Sequence, residues 1–123
     1  MIKENDGQWV VIDGVVREAD ALDRVSWHEG RMVYEVIRII DGVPLFFEDH
    51  YRRMRDSHAA VGGREGLVDE AGLAEQIRTL LATNGTERCN VKFIAFSGNP
   101  STRLAGYISK SYYPSAEMVR DGV

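Results

Sequence analysis

The sequence predicts an α+β domain: an antiparallel sheet of two hairpins plus two further strands, with two helices packed on one face. Three observations predict it. Asp-Gly pairs at positions 13–14 and 41–42 separate short β-branched and aromatic runs, the mark of tight hairpins. After Glu48 the apolar spacing changes from two to three and four residues, and beyond that helical stretch two more apolar runs follow. Strands in blocks around a block of helices favour an antiparallel sheet covered on one face over alternating parallel units.

The first hairpin is expected over Trp9 to Val16, turning at Asp13-Gly14. The second joins Met32–Ile40 to Val43–Phe47 through Asp41-Gly42. In its first strand Val33, Glu35, Ile37 and Ile39 share one face, and Tyr34, Val36, Arg38 and Ile40 the other, so both faces are expected to be covered at least in part. Tyr51, Met54, His58 and Val61 then make the buried stripe of a helix that Gly62-Gly63 ends. His50, beside Glu48 and Asp49, is expected to cap or pack against the start of that helix. Asp69 is the expected N-cap of a second helix with Leu73, Ile77, Leu80 and Leu81 inward and Asn84-Gly85 as its stop. Strands are expected over Asn90–Phe96 and Ala105–Tyr112, joined by a turn-rich loop that carries Arg103. Residues 1–112 form the domain, and residues 113–123, without a clear period, read as a linker toward a second domain.

The 123 residues suit one domain, and a chemistry that needs an interdomain cleft must borrow from elsewhere. Fifteen basic residues against nineteen acidic give a net charge of -4, spread along the chain, which disfavours a nucleic-acid partner. No apolar run approaches the roughly 20 residues that cross a bilayer, and the first residues carry no signal core, so a cytoplasmic, non-membrane protein is expected. Cys89 is the single cysteine, and His28, His50 and His58 form no metal-ligand spacing, so no metal site is expected. The serines lack the setting of a nucleophile elbow.

Arg52, Arg53 and Arg55 are the dense basic cluster, readable either as solvent-facing charge or as an anion site. A guanidinium fork binds phosphate by paired charge-assisted hydrogen bonds, and Arg53, next to Met54 of the buried stripe, can lean toward the sheet.

Taken together, Asp23-Arg24, Gly30 through Arg38, Asp41-Gly42-Val43-Pro44-Leu45-Phe46, and His50-Tyr51-Arg52-Arg53-Met54 with Ser57 resemble the N-terminal domain of the class IV pyridoxal-phosphate-dependent aminotransferase family. That family includes branched-chain and D-amino-acid aminotransferases and aminodeoxychorismate lyase. The shared pattern is G-D-G-V-[FY]-E, a strand, x-G-x-x-[FL], then H-x-x-R-[LM] with a serine soon after. The resemblance implies that Arg53 holds the phosphate of pyridoxal 5'-phosphate. It implies that Trp27 lines the substrate side and that Arg103 lies near a carboxylate-binding position. The sequence departs from the pattern at Glu29-Gly30-Arg31-Met32, where the family has an aromatic residue followed by G-D-G, which alters the substrate side.

The family's reactive lysine lies in a second domain, and none of Lys3, Lys92 and Lys110 matches it, so no catalytic residue is expected in this segment. What the resemblance implies is the N-terminal part of an aminotransferase or lyase, inactive alone. The complete enzyme would act on an amino acid and a 2-oxo acid, or on an aminodeoxychorismate-like substrate, as a homodimer with first-domain residues near the neighbouring active site. The alternatives are a non-catalytic interaction domain of the same fold and a nucleic-acid contact module using residues 52–55.

Overall fold

The computed structural model describes residues 5–25, 32–63, 65–96 and 101–109. Trp27, Lys3, Lys110 and the expected linker over residues 113–123 lie outside them. Six strands form one antiparallel sheet: β1 (Trp9–Ile12), β2 (Val15–Glu18), β3 (Met32–Ile40), β4 (Val43–Pro44), β5 (Cys89–Phe96) and β6 (Arg103–Ser109). Their spatial order is β2-β1-β6-β5-β3-β4, so the long strands β3, β5 and β6 are neighbours and the short β2 and β4 lie at the edges. Helices α1 (Phe47–Ala60) and α2 (Glu70–Asn84) connect β4 to β5.

Both Asp-Gly pairs adopt the left-handed backbone their hairpins require, with φ of 52° at Asp13 and Asp41 and 81° and 76° at the glycines. Asp69 caps α2 by accepting from Gly72 N at 2.7 Å, and Gly85, at φ 65°, ends it. Leu73, Ile77, Leu80 and Leu81 are its buried residues. In α1 Met54 and His58 are buried as the spacing predicts, but Val61 is exposed at the helix end.

One core lies between the helices and the sheet, built from Ile37, Ile39, Val91, Phe93, Ala95, Leu104 and Ile108 against Met54, Leu73, Ile77 and Leu80. Gly106 stands beside Phe93 in the register, where any side chain would overlap the Phe93 ring. A second, smaller core covers part of the other face: Val10, Ile12, Ile94, Phe96, Ala105 and Tyr107 pack with Leu22 of a short 3-10 helix, Ala19–Arg24. On that face the β3 side chains Met32, Tyr34 and Val36 are exposed.

Several boundaries differ from those expected: β2 runs on to Glu18, and β5 begins at Cys89. The strand expected over Val43–Phe47 is only Val43–Pro44, because proline lacks the donor a ladder needs and Phe46 turns left-handed (φ 54°) to start α1. Arg103, expected in a loop, is the first residue of β6.

Candidate functional site

The site grows from the alternation of β3. Glu35 shares its face with Ile37 and Ile39, which turns a carboxylate into the layer between sheet and helices, where its side chain is 9% exposed. An unpaired charge there would cost several kcal/mol, so the fold must bring donors to it. Helix α1 does so. His50 and Arg53, three residues apart, present adjacent side chains on one side of the helix. The Nε of Arg53 donates to Glu35 at 3.0 Å from each carboxylate oxygen, and Nη2 donates to Oε1 at 2.6 Å. His50 Nδ1 lies 2.6 Å from the same Oε1. A carboxylate only accepts, so the proton in that contact belongs to Nδ1.

Burial pushes the Glu35 carboxyl up, but the hydrogen bonds and charges of Arg53 and His50 outweigh it and hold the group below its ordinary value. The same contact keeps Arg53 still more firmly protonated. Although fastened to a buried acid, the Arg53 side chain is 66% exposed. A guanidinium held along its Nε–Nη2 edge presents the rest of its donors away from that edge, and among the described residues nothing bonds to Nη1. The donors that remain, those of Nη1, are of the kind from which a carboxylate or phosphate oxygen accepts.

Arg103 stands apart. Its Nε donates to Asp13 Oδ2 at 2.9 Å, and its guanidinium carbon lies 5.4 Å from the centre of the Phe96 ring. Asp13 Oδ1 in turn accepts from Leu104 N at 3.0 Å, so this pair ties the first hairpin turn to β6. By strand alternation Arg103 belongs with Phe96 on the face opposite the helices, and the sheet separates it from Arg53. The Arg52 and Arg55 side chains pair with Asp49 and Asp56 at the surface.

Glu35 and His50 are the residues that the sequence reading gave no place in the site. The signal for Glu35 was available: an acid on the inward face of an apolar strand demands a cation. Among the described residues no group of three or more His, Cys, Asp or Glu could hold a metal ion, and no helix is long and apolar enough to cross a membrane.

The fold is shared with branched-chain amino acid aminotransferases. The structure from Escherichia coli superposes with a TM-score of 0.75 at 19% identity over 91% of this chain and 43% of that one. That from Thermoproteus uzoniensis with norvaline gives 0.73 at 14% identity over 89% and 43%. That from Thermobaculum terrenum in its PLP form gives 0.68 at 14% identity over 90% and 42%. At these identities the likeness establishes architecture, and the chain spans less than half the length of each of these structures. No curated protein matches the sequence. The model of the family described as amino-transferase class IV matches residues 32–121. The chain belongs to that family.

Proposed function

We propose that this chain is the N-terminal part of a pyridoxal-phosphate-dependent class IV aminotransferase or lyase, in which Arg53 donates to the cofactor phosphate. The observation that carries the reading is the guanidinium of Arg53, anchored by a buried carboxylate and with donors to spare at the surface. The bound cofactor would supply an electron-withdrawing ring that stabilises a carbanion at the substrate Cα. The residues described here bind and orient. Arg53 would donate to the phosphate and orient it, and His50 and Glu35 hold the arginine. Lys92 stands with its ammonium 4.6 Å from the Tyr34 ring centre, on the face opposite Arg53, which agrees with a reactive amine supplied from the second domain that the resemblance implies. Amino acids and 2-oxo acids, or an aminodeoxychorismate-like compound, are the substrates proposed for the complete enzyme, with Trp27 bordering them. Arg103, across the sheet from Arg53, would serve a substrate carboxylate only in the site of another copy, which fits a homodimer.

The test is retention of pyridoxal 5'-phosphate by the full-length protein in equilibrium dialysis. Arg53→Ala should weaken retention roughly a hundredfold, the loss of a charge-assisted, two-point contact. Retention equal to that of the parent protein would remove Arg53 from the site.

A non-catalytic interaction domain of the same fold is the second reading, favoured by the exposed Met32, Tyr34 and Val36 on β3. In that case substituting these three residues would abolish self-association, while Arg53→Ala would lower stability by exposing the unpaired Glu35 but leave self-association unchanged.

A further inference from the structure

We infer that Glu35 is a positioning residue for anion binding: it fixes the plane of the Arg53 guanidinium so that the donors left over meet an incoming phosphate group without rearrangement. The inference rests on the assignment of Arg53 to an anion and adds the device that makes one exposed arginine suitable for it.

Arg52 and Arg78 also form ion pairs along a helix, with Asp49 and Glu75, but there both partners are exposed and both chains are free to move together. Arg53 alone among the described arginines of the helices is tied to an acid that cannot follow it. Glu35 projects from β3, paired in the sheet opposite Phe93 of the central strand β5, with its carboxylate inside the layer under α1. Three contacts fix the Arg53 edge, two from Nε at 3.0 Å and one from Nη2 at 2.6 Å, and His50 Nδ1 restrains Oε1 from a third direction. A planar group held at Nε and Nη2 has lost rotation about its last bonds, so an arriving anion need not freeze them.

Charge alone argues the other way. Glu35 offsets the positive charge of Arg53 and by Coulomb's law weakens its attraction for any anion. The two roles of Glu35 therefore predict opposite signs for one substitution. Glu35→Gln removes the opposing charge and half of the fork. If the residue only neutralises Arg53, phosphate binding tightens; if it positions Arg53, binding weakens.

The experiment titrates the 123-residue chain with inorganic phosphate at constant ionic strength, following the Arg53 Nε–H resonance by nitrogen-15 NMR. In the parent chain that resonance should show a less mobile Nε–H than Arg52 and should shift on phosphate addition. Glu35→Gln and Glu35→Asp, the latter keeping the charge but withdrawing the carboxylate by one methylene, should each weaken binding roughly tenfold, the scale of a lost orientation. In those variants the Arg53 Nε–H should become as mobile as that of Arg52, a change that a general loss of stability would not confine to one side chain. Unchanged or tighter binding by Glu35→Gln overturns the positioning role while leaving Arg53 in place. Phosphate binding that survives Arg53→Ala, or a parent chain without a phosphate-dependent shift, overturns the assignment of Arg53 itself. Should the Glu35 variants fail to fold, the parent chain still decides, because an Arg53 Nε–H as mobile as Arg52's is incompatible with positioning.

Discussion

Protonation of Glu35 would release both His50 and Arg53, which gives the fold a sensitivity to acid. The carboxyl sits below its ordinary value in the folded chain, so the unfolded chain takes up its proton first as pH falls. Its contribution to stability is complete above the unfolded value, near pH 4, and is lost as pH drops through the lower folded one. His58 has the same sign in a higher window. It is buried, its Nε2 lies 2.9 Å from Thr102 Oγ1, and burial pushes its value down. The neutral ring is fully favourable above about pH 6.5, and stability declines below that as the unfolded chain alone takes the proton. Urea unfolding followed at a series of pH values should therefore show two descending steps, and Glu35→Gln should flatten only the more acid one. A single step, or a Glu35 variant that flattens the step near neutrality, would contradict these assignments. Gly63 stands against the same His58 ring, where any added side chain would overlap it.

Phe46 shows how an element boundary is set by backbone rather than by side-chain burial. It occupies the N-cap of α1 at φ 54° with its ring 74% exposed. A non-glycine residue in the left-handed region costs about 1–2 kcal/mol, and an exposed ring returns little of it. Phe46→Gly should accordingly stabilise the chain by about 1 kcal/mol, measured by denaturant titration; a loss of stability would mean that the ring has packing partners. The elements that were legible in the sequence are those with local causes: two Asp-Gly turns, the Asp69 cap, and the leucine-isoleucine stripe of α2. Those that were not have causes elsewhere in the chain. Val43-Pro44-Leu45-Phe46-Phe47 has strand composition throughout, and only Pro44 hints at how early the ladder stops. The 3-10 helix Ala19–Arg24 buries Leu22 alone, too little to leave a period.

At the scale of the whole molecule the sheet is unequal in its protection. Strands β3, β5 and β6 pair over long registers beneath both helices, whereas β2 and β4 are short edges. Amide hydrogen exchange should be slowest at Val91, Phe93 and Ile108 and faster by roughly a hundredfold or more along β2, because edge strands open without global unfolding. Equal rates across the sheet would contradict this order. The site is divided in the same way. Arg53 could be read from the H-x-x-R spacing, but its partner depends on β3 and α1 lying face to face, a relation no local pattern carries. Arg103 belongs to the tie between the first hairpin and β6, and Trp27 lies outside the described residues.

The connection from β4 to α1 is so short that the helix has no slack with which to choose its own rotation. Each residue added between Pro44 and Phe47 would turn the helix by about 100° about its axis. One such insertion would carry the guanidinium to another side of the cylinder and leave a buried acid facing nothing. The length of this link, more than the chemistry of its side chains, therefore sets the direction in which the arginine points, and a single inserted codon would part Arg53 from Glu35 with every polar residue intact.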